Sequence, residues 1–167
     1  MGTSHLGEAE AFDKNWNNAF EAQYLHWTKS EPQNQIQFAF RQHWETFRNI
    51  LGAQPIGKDV LEVGCGRGSL SAYFSDAGWN CTLLDKSKRA VQLARKAFSE
   101  NGLHASFDVG DCLSLPYDDR SFDVVFSIGL LEHFDEINRV LSEQFRVLRD
   151  GGTFFGYVVP ELSLIHI

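Results

Sequence analysis

Two kinds of hydrophobic pattern divide this chain. Up to about Pro55, large apolar residues recur at helical steps. Phe12, Trp16, Phe20 and Tyr24 fall four residues apart with Trp27 close behind, and Phe40, Trp44, Phe47 and Leu51 share a second such face. Steps of three and four place side chains on one stripe of a helix. Glu31-Pro32 separates the two periods, because a proline inside a helix removes a donor and clashes with the preceding turn. One amphipathic helix is therefore predicted before Glu31 and a second over Gln33 to Leu51, with Gly52 as C-cap and Pro55 beyond it.

From Asp59 onward short apolar runs alternate with helical periods. Strands are predicted at Val60 to Val63, Cys81 to Leu84, Ala105 to Val109, Phe122 to Phe126 and Thr153 to Val159. The intervening helices are Ser69 to Asp76, a segment capped by Ser87 and stopped by Asn101-Gly102, and Asp135 to Leu148. The last of these is expected to turn Ile137, Val140, Leu141, Phe145 and Leu148 inward, and Asp150-Gly151-Gly152 is expected to turn the chain into the fifth strand. Strands alternating with helices imply right-handed βαβ units: an α/β fold with a doubly wound, mainly parallel sheet. Ligands of such sheets bind beyond the carboxyl ends of the strands, at the switch point. Glu62, Asp85, Asp111 and Ile128 all stand at or just after strand ends.

Charge and cysteine usage narrow the partners. The net charge is −7, from 15 basic and 22 acidic residues, and no long basic run occurs. That weighs against a nucleic-acid surface, which needs clustered Lys and Arg. No apolar run is long enough to span a bilayer, and the first ten residues lack the basic-then-apolar pattern of a signal peptide. The cysteines, Cys65, Cys81 and Cys112, are odd in number and form no C-x-x-C. Reduced thiols in a cytoplasmic protein are expected, with no disulfide framework and no metal site.

The chemistry concentrates in Glu62-Val-Gly64-Cys65-Gly66-Arg-Gly68, an apolar run, an acid and a glycine turn that opens a helix. Bare backbone and free helix N–H groups suit a small polar ligand with an anionic group. The spacing is G-x-G-x-G, and Ser69 stands where the dinucleotide fingerprint has its third glycine, which favours a ligand other than NAD. Asp85, 21 residues after Gly64, is placed to bind a ribose diol or to serve the following helix as a cap. Asp111, in Val109-Gly-Asp-Cys112, reads either as an acceptor for an exocyclic amine or as a turn aspartate.

Taken in order, Glu62 to Gly68, Asp85, Gly110-Asp111 and Phe122-Asp-Val-Val-Phe-Ser-Ile-Gly-Leu-Leu-Glu-His133 resemble the class I S-adenosylmethionine-dependent methyltransferases, over about Asp59 to Val159. Within them the nearest likeness is to the ubiquinone-biosynthesis-like methyltransferase-domain group. The resemblance implies a Rossmann-like sheet, S-adenosylmethionine as cofactor, S-adenosylhomocysteine as product and a small-molecule acceptor with an O, N or C nucleophile. It implies that the loop Gly64, Cys65, Gly66 and Gly68, with Glu62, holds the methionine part. Asp85 would bind the ribose, with Lys86 beside the adenine. Asp111 with Cys112 would read the adenine, and Ile128 would line the crevice. Glu132 and His133 are the candidate catalytic acid–base pair, or hold their loop structurally. Some relatives bind a metal through E-x-x-E-H, but Gly129 replaces the first glutamate here. Residues 1–55 would form a helical lid, in which Tyr24, His26 and Trp27 close the pocket, whereas Phe40, Trp44 and Phe47 read as packing residues. A non-catalytic cofactor-binding module, an inactive fragment and a nucleotide-cofactor oxidoreductase are the competing readings.

The resemblance also implies seven strands, of which residues 56–161 contain five. Residues 162–167, Leu-Ser-Leu-Ile-His-Ile, are what CTG TCT CTT ATA CAC ATC encodes, a transposon end used in sequencing adapters. They are expected to be a non-native tail that starts near Glu161, and other codons in the coding DNA would refute this. The fifth strand would then present an open apolar edge, an aggregation liability.

Overall fold

The computed structural model describes residues 25–52 and 58–158. The predicted first helix, with Phe12, Trp16, Phe20 and Tyr24, lies outside the described residues, as does the tail 162–167. Residues 25–34, around Pro32, contain no helix. Helix α1 (Gln35–Leu51) starts two residues later than expected, because Asn34 caps it by accepting a hydrogen bond from Gln37 N at 2.9 Å. Gly52 ends it with φ at +74° and donates to Arg48 O.

Five strands follow: β1 (Asp59–Val63), β2 (Asn80–Asp85), β3 (Ser106–Val109), β4 (Phe122–Ile128) and β5 (Leu148–Tyr157). They pair in the order β3-β2-β1-β4-β5, and every neighbouring pair is parallel. The chain works outward from β1 to β3, then returns to place β4 on the other side of β1. That reversal opens a crevice between the carboxyl ends of β1 and β4. Helices α2 (Ser69–Asp76), α3 (Lys88–Glu100) and α4 (Ile137–Val147) connect the strands. The helices α1, α2 and α3 share one core with the sheet, around Phe47, Phe74, Phe98 and Phe126, and α4 covers the opposite face over Leu61, Val125, Val140 and Val147. Phe47 of α1 packs 5.1 Å from Phe74, 5.4 Å from Phe126 and 4.5 Å from Phe155, ring centre to ring centre. The aromatic period of α1 is therefore core, built against the sheet.

Three expectations are corrected. Strand β4 runs on to Ile128, since Ser127 and Ile128 pair with Gly156 and Tyr157 of β5. Asp150-Gly151-Gly152 lies inside β5 as a bulge rather than before it as a turn: Leu148 pairs with Phe122 and Thr153 with Val124, and Gly151 takes the left-handed conformation at φ +77°. In α4 the buried face is Val140, Gln144 and Val147, while Ile137 and Phe145 are 41% and 53% exposed. The fully buried Gln144 breaks the apolar period expected of this helix. At the amino ends of the strands, Arg149 bonds Asp123 at 2.6 Å and Asp59 at 2.9 Å, which ties β1, β4 and β5 together far from the crevice.

Candidate active site

A cavity of about 980 Å³ opens at the carboxyl ends of the strands. Of the residues singled out in the sequence, Glu62, Gly64, Cys65, Gly66, Asp85, Lys86, Asp111, Cys112, Ile128 and His133 line it. Four separate strand ends supply them, which is what the switch-point geometry requires.

The glycine turn is shaped by backbone bonds. Gly64 N and Cys65 N both donate to Leu84 O, at 2.8 and 3.0 Å, so the turn is fastened to β2. Gly64 and Gly66 have φ of +72° and +50°. A Cβ on Gly64 would stand 2.9 Å from Leu130 Cδ1, so bare backbone is needed there. Gly68 does something different. It does not line the cavity; it sits at the N-cap of α2 with φ +68°, and a Cβ there would reach 2.3 Å from Leu83 Cδ2 and 3.1 Å from Phe98. This third glycine serves close packing of helix on sheet.

The carboxylates differ in state. Glu62 is buried beneath the turn, where its Oε2 accepts from Ser71 Oγ at 2.5 Å and Ser71 N at 3.3 Å. Burial pushes its carboxyl up to about 8 against the hydrogen bonds from Ser71, and the nearby Asp85 charge adds to the rise. Asp85 is held by backbone donors: Oδ2 accepts from Gly66 N at 2.8 Å and Oδ1 from Ser87 N at 2.9 Å. The helix cap proper is Ser87, whose Oγ accepts from Ala90 N. Asp85 also lines the cavity. Asp111 makes an Asx turn, accepting from Leu113 N at 2.9 Å, while it also lines the cavity. Both readings of that residue hold together.

Cys65, Cys81 and Cys112 are free and buried. Burial raises the thiols of all three, that of Cys112 to about 11, so none is a ready thiolate nucleophile. His133 lines the cavity from a single 3₁₀ turn, Leu131–His133, while Glu132 on the same turn is not among the lining residues. Among the described residues no three His, Cys, Asp or Glu side chains cluster as a metal ion needs.

Sequence reasoning misplaced part of the opposite wall. Phe40 packs against the core as expected and also lines the cavity with Ile36, whereas Trp27, expected to close the pocket, is buried against Tyr73. Periodicity alone does not say which residues of the apolar stripe of α1 also reach the cavity. Arg67, Leu130 and Phe134 were also missed as lining residues. His26 stands on the cavity as expected, and Tyr24 lies outside the described residues.

Comparison with known proteins agrees with this architecture. A family model described as a methyltransferase domain matches residues 61–156, without singling out the ubiquinone-biosynthesis-like group. The chain is 32% identical over 158 residues, 93% of its length and 42% of the relative's, to 24-methylenesterol C-methyltransferase 2 of Oryza sativa subsp. japonica. It is 39% identical over 100 residues, 59% of its length and 36% of the relative's, to a phthiotriol/phenolphthiotriol dimycocerosates methyltransferase of Mycobacterium tuberculosis. It spans less than half the length of these curated relatives. The crystal structure of the PH0226 protein from Pyrococcus horikoshii OT3 superposes with a TM-score of 0.65 at 27% identity, over 85% of this chain and 65% of that one. Nothing in these likenesses supports the nucleotide-cofactor oxidoreductase reading. With a methyltransferase-domain model matching residues 61–156 and a methyltransferase relative aligned over 93% of its length, the chain belongs to the class I S-adenosylmethionine-dependent methyltransferases.

Proposed function

We propose that this protein transfers a methyl group from S-adenosylmethionine to an O, N or C nucleophile of a small, largely apolar molecule. The observation that carries the reading is the convergence of the Gly64–Gly66 turn, Glu62, Asp85 and Asp111 on one cavity. These residues fit the cofactor. Glu62 is a buried carboxyl kept up at about 8, which a cationic ammonium would favour in its charged form. Asp85 is rigidly held and acceptor-rich, as a ribose diol needs, with Lys86 next to it. Asp111 and Cys112 would face the adenine, with Ile128 beside them. When bound, the cofactor supplies an electrophilic methyl group on a sulfonium sulfur. The chain's own part is to align the reactants and exclude water.

The acceptor side is read from the remaining wall. Ile36, Phe40, Leu130 and Phe134 give it an apolar character, and the two curated relatives carry names of sterol and lipid methyltransferases. His133 is the residue placed to take a proton from an acceptor that must lose one. The region up to residue 55 contributes Ile36, Phe40 and His26 to the cavity, in keeping with a covering role. Three buried free thiols fit a reducing cytoplasm, and no described helix is long and apolar enough to cross a membrane.

Calorimetry with S-adenosylhomocysteine and with NAD tests the reading: the first is expected to bind and the second is not. Asp85→Ala should weaken S-adenosylhomocysteine by about 1.5–3 kcal/mol, the cost of losing charge-assisted bonds. Binding of NAD alone, or an unchanged affinity in that variant, would refute it. His133→Ala should keep cofactor affinity and lower turnover of a hydroxyl or amine acceptor by roughly 10²-fold or more. Equal turnover would leave His133 no part in proton transfer.

A further inference from the structure

Helix α4 grips a loop as well as covering the sheet. Its Glu143 and Arg146 stand one turn apart, and both reach the segment between β3 and β4. Glu143 Oε2 accepts from Leu115 N at 2.7 Å, and Arg146 Nη2 donates to Leu115 O at 2.9 Å. Leu115 is thus held at both of its backbone polar groups. Arg146 Nη1 donates to Tyr117 O at 2.8 Å, and its Nε and Nη2 bond the two Glu143 oxygens at 2.8 and 2.9 Å. The hydrogen bonds from Arg146 hold the Glu143 carboxyl below its ordinary value, so it is an ionised acceptor at neutral pH. Tyr117 extends the hold to β3, its hydroxyl donating to Asp108 Oδ2 at 2.9 Å.

These bonds end where the cavity wall begins. Gly110, Asp111, Cys112 and Leu113 line the cavity, and no described residue of α4 does. The wall is fixed in front by Gly110 N, which donates to Asp85 O at 3.1 Å. Asp111 then closes a turn, accepting from Leu113 N with its side chain and from Ser114 N with its carbonyl. Leu115 follows directly, so no slack residue separates the wall from the clasp. A guanidinium presents its donors in a fixed fork, so one arginine can set two carbonyls at once. We infer that Glu143 and Arg146 are positioning residues for base recognition: through Leu115 they set Asp111 and Cys112 against the adenine of the cofactor. This rests on the cofactor reading above. It adds that selectivity for the base is governed by a helix outside the cavity.

Two probes read base selectivity: S-adenosylhomocysteine, and S-inosylhomocysteine, in which a carbonyl and a ring N–H replace the exocyclic amine and ring acceptor of adenine. Calorimetry on the wild type should show a preference for the first of roughly 10-fold or more, because the second mismatches both polar contacts. Arg146→Met and Glu143→Ala should each weaken S-adenosylhomocysteine by roughly 3- to 10-fold and barely change S-inosylhomocysteine, so the ratio shrinks. The double variant should lose no more than the single ones. Arg146→Lys, a milder change, should also shrink the ratio, since one ammonium cannot span Leu115 O and Tyr117 O. Glu143→Gln keeps an acceptor for Leu115 N and should hold the ratio near that of the wild type. Asp119→Ala removes an exposed partner of Arg146 and leaves Leu115 gripped, so it should not alter the ratio. Mere destabilisation would weaken both probes alike. The inference is overturned if the Arg146 and Glu143→Ala variants keep the wild-type ratio, if both probes weaken together, or if the two substitutions add. A wild type that binds both probes equally would overturn the adenine role of Asp111 and Cys112, and one that binds neither would overturn the cofactor reading, each taking this inference with it.

Discussion

Gly68→Ala is expected to cost the protein about 2–5 kcal/mol, a large share of the roughly 5–15 kcal/mol that holds a typical domain together. Two terms add. The backbone at φ +68° is left-handed, which costs a residue with a Cβ about 1–2 kcal/mol. The new methyl would also sit 2.3 Å from Leu83 Cδ2 and 3.1 Å from Phe98, both among the most deeply buried side chains, and overpacking of that kind costs about 1–3 kcal/mol. Gly102→Ala is the internal control. It has φ +67° and nothing within 4 Å of the added atom, so it should show the backbone term alone. Urea unfolding of the two variants beside the wild type decides the matter. Equal losses at the two positions would show that Leu83 and Phe98 make room, and that Gly68 is needed only for its dihedral.

The second large effect is on the pH dependence of stability, through Glu62. Its carboxyl is raised from the ordinary value of 4.5 to about 8 by burial. Between those two values the folded protein holds a proton that the unfolded chain has released. The unfolded chain thus binds fewer protons there, and stability must fall as pH rises through that window. At about 1.4 kcal/mol for each pH unit, the loss reaches roughly 4 kcal/mol by pH 8 and levels off above it. Glu62→Gln keeps an oxygen to accept from Ser71 and cannot ionise. Its stability relative to the wild type should therefore improve steadily from pH 4.5 to 8 and stay constant beyond. Unfolding at pH 4.5, 6, 7.5 and 9 measures this, and parallel curves for the two proteins would sink it. The same group should release a proton when a cation arrives. Calorimetry of S-adenosylhomocysteine binding near pH 7, in buffers of different ionisation enthalpy, should show proton release in the wild type that Glu62→Gln lacks.

These two residues stand six apart, Glu62 in β1 and Gly68 at the N-cap of α2, and they illustrate where sequence reading succeeds. The G-x-G-x-G spacing marks a place where the chain must turn without side chains, and it did so correctly for Gly64, Gly66 and Gly68. It could not say that the first of them faces Leu130 beside a cavity while the last faces Leu83 inside the core. That distinction depends on which elements pack above and below the turn, and those come from β2, α3 and the loop after β4. Likewise, the acid at the end of the first strand was legible as chemistry, but its protonation state arises from burial beneath α2, with Ser71 as hydrogen-bond donor.

What the sequence determined by itself was local and periodic. Runs of alternating β and helical period dictated the element order, and the glycines, Asp85 and Asp111 marked the strand ends, because strand, turn and cap signals act over a few residues. Likeness of the whole motif series to the methyltransferases followed from the same short segments. Tertiary structure alone decided which faces met. It put Gln144 into the core, made Phe40 a cavity wall and Trp27 a core residue, drew Asp150-Gly151-Gly152 into β5 as a bulge, and joined His26 to Arg67 across forty-one residues. Such pairings depend on how the elements dock, through burial and hydrogen bonds between residues far apart in the chain, and no local period encodes them.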